Sequence, residues 1–342
     1  MLTKIGLDLG YANITLSDVT AGIYREPSVA LVDKDTRRIS AVGNEAIMGE
    51  NAAVGMLVRP FKNGLLFDKS ITEEIIANAV KAVLPAERVR CVVGVPSDIL
   101  PKQERELADM LSAAGVKESC FVNRAMAALI GAGYSPCISA VVVDVGAGAT
   151  EVAVLHDGAL LYQKRSPVGG EDFDKAVKQY ILDNGDVNVS LSVAKAIKEK
   201  LGAVWQGRAE ESIDIEGTLS LTGNRVKMTI SSEDIVGVFE KPLHALITAI
   251  SDGVRKIPAE FVMDVFNNGI ILTGGAAEIY GLDTMISKVL DIPATTATDP
   301  IDCVAKGLSR INNIVPDKVK GNGKNITIAL AKFYESRNQN KQ

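Results

Sequence analysis

The sequence predicts an α/β protein made of two related halves that face one cleft, and three observations carry that prediction. Strand-like apolar runs alternate with amphipathic helical stretches along the chain, the pattern of largely parallel sheets covered by helices. The stretch Val141-Val-Val-Asp-Val-Gly-Ala-Gly-Ala-Thr150-Glu-Val-Ala-Val154 is an apolar strand that breaks at an aspartate and a glycine pair, then resumes as a second strand. Near the start, Ile5-Gly-Leu-Asp8-Leu-Gly10-Tyr-Ala-Asn-Ile-Thr-Leu16 repeats the order strand, Asp, apolar residue, Gly, turn, strand. A repeated unit at this separation points to duplicated halves sharing one site.

Each hairpin has the outline of a phosphate-holding loop. Glycine lacks a Cβ, so the backbone at Gly146 and Gly148 can turn tightly and bring amides against phosphate oxygens, and Gly10 holds the matching place in the first copy. Asp144, at the end of its strand, is placed to hold a hydrated divalent cation that neutralises those oxygens. Either stretch alone reads equally well as an ordinary hairpin with a Gly-rich turn. The second copy favours the phosphate site.

The bulk numbers exclude several classes. A chain of 342 residues, 47% hydrophobic and 23% charged, can bury the cores of two soluble domains. A net charge of −5 with mixed signs offers no basic face to nucleic acid. With only two histidines, a His-rich metal site is excluded and a Ser-His-Asp triad has little to draw on. The four cysteines show no CxxC spacing and read as reduced thiols. Asp8 inside the first apolar segment argues against a secretory signal, and no apolar run has the length of a membrane span, so the expected location is the cytoplasm.

Taken in order, the first hairpin is followed by a small inserted lobe over about 31–61, with a strand and short helix at 39–48. A helix over 72–84 carries Ile75, Ile76, Ala79, Val80 and Val83 as its stripe. The run 89–95 before Pro96 suits a buried parallel strand. Pro101 opens a helix that Gly115 closes. Residues 120–122 form a short strand, and 124–132 a small-residue helix able to pack closely on its neighbours. After the second hairpin, whose return turns at His156-Asp157-Gly158, helices are expected over 172–183 and 192–201. Two strands within 213–230 turn at Thr222-Gly-Asn224. One long helix is expected over 233–256, then a strand 269–273 ending in Gly274-Gly275, and a helix opened by Asp299-Pro300. The division predicted is 1–139 and 140–307, the second with a small lobe over about 182–231, and a return segment with a tail over 308–342.

With three glycine-bearing turns in place, the chain resembles the actin and heat-shock-chaperone ATPase superfamily, and within it the MreB-like bacterial actins. The likeness runs through Glu26-Pro-Ser-Val29, Arg59-Pro60 to Gly64, Gly94-Val-Pro96, Thr150-Glu-Val-Ala-Val154, Leu272-Thr-Gly-Gly275 and Asp299-Pro300. It implies an actin-like ATPase fold: two domains, each with an outer lobe, closing on ATP and Mg2+ and polymerising into protofilaments in cell-shape or cell-wall morphogenesis. Asp8 and Asp144 would approach the metal from opposite domains. Gly10, Gly146 and Gly148 would supply phosphate-facing amides, with the Thr150 hydroxyl nearby; Tyr11, Asn13, Ala147 and Gly170 would also contact the nucleotide, Lys198 would lie near the ribose, and Gly274 and Gly275 against the nucleoside. A chaperone-type or assembly ATPase and a small-molecule kinase are the alternatives on the same fold.

Departures from that pattern bear on chemistry. Tyr11 and Ile14 stand where the family's first loop has two threonines, and Tyr11 either obstructs the phosphate space or packs away from it. Ala149 and Ala276 replace a hydroxyl and a third glycine, and Lys195 an acidic ribose contact. Arg124 stands where a glutamate positions the attacking water; a guanidinium cannot accept a proton, so weak or absent hydrolysis is expected. The loop 84–88 carries no aromatic for insertion into lipid. The basic stretch 318–324 and apolar 326–334 read as a docking tail or as a segment binding a membrane surface or morphogenesis partner.

Overall fold

Both halves repeat one sheet order, which makes the internal repeat visible as architecture. The computed structural model describes residues 2–19, 22–49, 55–62, 65–66, 68–83, 88–96, 98–314 and 323–339. In the first half the strands lie side by side as Gly22–Pro27, Asn13–Asp18, Leu2–Leu9, Arg88–Val95 and Val116–Asn123. In the second they lie as Ala159–Ser166, Thr150–His156, Ala140–Val145, Ile270–Thr273 and Ala294–Thr296. Each is an antiparallel three-strand meander continued by parallel strands on the far side of its first strand. The order third, second, first, fourth, fifth is the same in both.

Apolar patterning explains the centre of each sheet. Ala140–Val145 is buried at every residue, as a continuous apolar run between helical layers requires. Outer lobes grow from the same chain order. One has the strands Ala30–Asp33, Ile39–Val42 and Gly55–Val58 beside the helix Gly43–Met48; the other has Val187–Asn188, Ser212–Leu219 and Arg225–Ser231. The turn at Thr222-Gly-Asn224 is where expected, with Gly223 at φ 68°.

One expected element divides. In place of a single helix over 233–256, a 3₁₀ turn Glu233–Ile235 is followed by the helix Glu240–Val254. Gly237 lies between them at φ 81°, a left-handed conformation that a helix cannot continue through. The amphipathic pattern carries across the break, which hid it.

The small-residue helix Arg124–Gly131 does pack closely, against Cys303–Ile314. A Cβ on Gly131 would sit 1.7 Å from the Cys303 carbonyl oxygen, and one on Gly307 1.8 Å from that of Ala127. Backbone touches backbone here, so neither position accepts a side chain. The crossing joins the halves at the floor of the cleft and fixes where Arg124 begins its helix.

The tail returns to the first half. Lys324–Asn325 pairs in parallel with Cys120 and Phe121 at the sheet edge, and Thr327–Gln339 forms a helix. Ile326 and Leu330 are buried in a cluster that includes Val122 of one half and Leu155 of the other. Most of the basic stretch and residues 84–87 lie outside the described residues. Among those described, no helix is long and apolar enough to cross a membrane.

Candidate functional site

A cleft of about 600 Å³ separates the halves, a size suited to a small-molecule ligand. Its walls include Asp8 to Asn13 from the first hairpin, Asp144 and Gly146 to Ala149 from the second, and Gly170, Lys195, Lys198, Gly274 and Gly275. The geometry divides the glycine roles more finely than the sequence does. The Gly10 amide donates to Asn13 O at 3.0 Å, and the Gly146 amide to Ala149 O at 3.0 Å, so both close their own hairpins. Among the described residues, the amides of Tyr11, Ala12, Ala147, Gly148 and Ala149 donate to no backbone carbonyl. These turn amides, two from one loop and three from the other, lie in loops that line the cleft and lack a backbone acceptor, the kind of donor from which anion cradles are built.

Tyr11 lies inside this cradle. A Cβ on Gly148 would meet its ring at 2.6 to 2.9 Å, so the ring of one hairpin packs flush on the glycine of the other. The Arg59 guanidinium stands over the same ring, 5.2 Å from its centroid, and donates to the Tyr11 and Ala12 carbonyls at 3.2 and 3.3 Å. The Tyr11 hydroxyl donates to the Glu171 carboxylate; burial, then this bond, pushes its pKa up to about 12. The ring therefore bridges the two loops and narrows the space above them.

Arg124 joins the two aspartates. Its Nη1 contacts Asp8 Oδ1, and its Nη2 donates to Asp144 Oδ2 at 3.2 Å, so one guanidinium spans the corner where a metal ion was expected. Asp144 Oδ1 accepts from the Thr273 hydroxyl at 3.1 Å. Several local features place the arginine. Asn123 caps its helix, accepting from the Met126 amide, and Gly94 leaves room for the stem, a Cβ there falling 3.3 Å from Arg124 Cγ. A cation at a helix N-terminus opposes the helix dipole, a cost offset by the two carboxylates. Burial alone would lower the Arg124 pKa, but Asp8 and Asp144 outweigh it and hold the group charged. Burial pushes the Asp8 carboxyl up against the pull of Arg124. Among the described residues, no group of three His, Cys, Asp or Glu side chains is placed to hold a metal ion. Asp8 and Asp144 are brought together by the two hairpins and bridged by a guanidinium.

Thr150 is a correction. Its hydroxyl donates to Val168 O at 2.8 Å and the residue is fully buried, away from the cleft. Successive strand residues face opposite ways, so it is Glu151 that lines the cleft. Lys198 is ion-paired with Asp174 at 2.7 Å and donates to Gly170 O at 3.1 Å, which fixes the wall beside the glycines. Gly274 has φ 84°, and a Cβ there would lie 2.5 Å from Val145 O, so only glycine lets this loop cross the strand end. Lys195 stays exposed in an ion pair with Glu199.

Glu151 escaped the sequence reading. It stands directly across the ladder from Asp144, with Arg165 opposite it on the next strand. Burial, partly countered by Arg124, pushes its carboxyl up to about 7, and Oε2 has no hydrogen-bond partner among the described residues. Arg165 in turn donates to Asp98 of the first half at 2.6 Å. The observed register sets this pairing: the tight turn between Val145 and Thr150 puts two acids face to face, an arrangement that needs a nearby cation. Arg25, the counterpart of Arg165 in the first hairpin, pairs with Asp302 and was missed in the same way.

The cell shape-determining MreB protein of Escherichia coli K12 is 30% identical over 318 residues, covering 89% of this chain and 91% of its own. The MreB/Mbl protein family model matches residues 2–319. The chain belongs to the MreB/Mbl family. A Bacillus cereus Mbl protein is 29% identical over 312 residues, with 89% and 93% of the two chains covered. Among solved structures, MreB5 of Spiroplasma citri bound to ADP has a TM-score of 0.85 at 23% identity, covering 92% of this chain and 97% of its own. A double helical filament of MamK has a TM-score of 0.79 at 22% identity, covering 92% and 100%. These likenesses establish the actin-like fold for this MreB/Mbl chain, and the resemblance drawn from its glycine turns holds.

Proposed function

We propose that this MreB/Mbl-family protein binds a nucleoside triphosphate, ATP in the first instance, in the cleft and self-associates into filaments that serve cell shape, with weak or absent hydrolysis. The observation that carries the reading is the paired hairpins, whose loops line one cleft with Gly170, Gly274 and Gly275 and leave five amides without a backbone acceptor. Relatives support it: MreB5 of Spiroplasma citri has been seen bound to ADP and to AMPPNP, and MamK as a double helical filament. We take the two domains to be 1–139 and 140–307, with 308–342 returning to the first. The test is pelleting with electron microscopy, with and without AMPPNP. Filaments are expected, and a protein that stays monomeric at high concentration with the analogue present would count heavily against them.

The tail reads as a docking segment, because Ile326 and Leu330 are consumed in the core and Ile328 is the one large aliphatic residue exposed on its described part. Slow turnover with Glu151 as the base is a second reading, favoured by the unpartnered Oε2 in the cleft. Loss of residual phosphate release in Glu151→Gln, with nucleotide binding intact, would establish it.

A further inference from the structure

We propose that Arg124 is this protein's built-in substitute for a divalent cation, so that the phosphates of its nucleotide bind without a metal ion. The proposal rests on the reading of the cleft as a nucleotide site. Asp8 and Asp144 are 8% and 5% exposed and come from opposite halves; a buried acidic pair of this kind demands a cation between its members. The guanidinium meets that demand from within the chain. It uses the carboxylate oxygens through which a metal would be held, while the Thr273 hydroxyl occupies the remaining oxygen of Asp144. Mg2+ requires near-octahedral oxygen ligands at about 2.0–2.1 Å, and here the guanidinium already engages one oxygen of each carboxylate.

The same group is equipped to meet phosphate. A guanidinium carries five N–H donors in one plane, and the two carboxylates leave donors over. Arg124 keeps 17% of its side chain exposed and lines the same cleft as the glycine loops of both hairpins. Planar N–H pairs match phosphate oxygens two at a time. Because this cation is covalently fixed, metal concentration has no hold on the affinity. Chelation then removes nothing that the ligand needs.

The experiment measures binding of a fluorescent AMPPNP analogue to full-length protein in EDTA and in excess Mg2+. The expected result is the same affinity in both within roughly threefold; tightening by Mg2+ of roughly tenfold or more, ~1.4 kcal/mol, overturns the proposal. In Arg124→Gln, binding in EDTA should fall about tenfold and become Mg2+-dependent. Unchanged metal-free binding in that variant would show Arg124 to be a structural bridge only. Should the variant not fold, Mn2+ titrated alone into wild type and followed by electron paramagnetic resonance serves in its place: a free-ion spectrum is expected, and stoichiometric bound Mn2+ refutes the idea. If the analogue binds in neither condition, the nucleotide reading and this proposal fall together. If it binds only with Mg2+, the nucleotide reading stands and this proposal alone fails.

Discussion

The two hairpins share strand order and register but divide the work of the cleft unequally. Across the first, Asp8, Thr15 and Arg25 stand in line; across the second, Asp144, Glu151 and Arg165 do. Each third-strand arginine reaches an aspartate of the other half, Arg25 to Asp302 and Arg165 to Asp98. The first loop, however, carries the bulky Tyr11 where the second has Ala147, with its ring packed on Gly148 of that second loop, and the second adds a buried acid, Glu151, where the first has Thr15. A duplicated frame thus tolerates divergence in what its loops carry, provided that a bulky residue on one side faces a glycine on the other and an added acid lies within the field of a nearby cation, as Glu151 does of Arg124.

The largest effect expected tests the centre of this arrangement. Arg124→Ala leaves two buried carboxylates facing each other, and removing one partner of a buried ion pair typically costs about 3–5 kcal/mol. A urea midpoint series should show that loss. Recovery is expected at pH low enough to protonate the pair; a midpoint matching wild type at neutral pH would mean that Arg124 bridges nothing.

Next comes the loop contact. Gly148→Ala drives a methyl into the Tyr11 ring and should cost about 1–3 kcal/mol, as overpacking does. In a Tyr11→Ala background the same change should be nearly silent. Additive effects in that cycle would deny the packing of one hairpin on the other.

A smaller effect belongs to Glu151. Its folded pKa of about 7 lies above the ordinary 4.5, so its contribution is fully present below pH 4.5 and is lost as pH rises through 7. Between pH 5 and 8 wild type should lose stability relative to Glu151→Gln, read as converging or crossing thermal midpoints. Parallel midpoints across that range would rule the shift out.

Least is expected of the two arginine straps. Asp98 is 57% exposed and Arg25 is 32% exposed, so Arg165→Ala and Arg25→Ala should each cost less than about 1 kcal/mol through the lost ion pair. A clear inequality between them, measured by denaturant unfolding, would show that the halves are not tied symmetrically.

Much of this was legible in the chain. The paired Asp-x-Gly turns, the small-residue helix and the glycine loop after Thr273 follow from local pattern, because strand ends, turns and close helix crossings restrict residue type locally. Which residue fills the corner between the aspartates was not legible. Arg124 could be seen to be out of character, yet its reach to Asp8 and Asp144 depends on three separate elements meeting. Thr150 was misplaced for a simpler reason: strand alternation decides which of two adjacent polar residues faces the cleft, and the hairpin's register must be known before that parity can be assigned. The break at Gly237 was missed because the apolar spacing runs through it without interruption.

The short strand Lys324–Asn325 lies along the outer edge of Val116–Asn123, with the final helix folded over the seam between the halves. An open sheet edge invites any stray β-strand to add on. If copies of this chain assemble as proposed, closing that edge with its own chain works as quality control. Material clipped before Lys324 would be expected to clump laterally, an off-pathway outcome distinct from ordered growth.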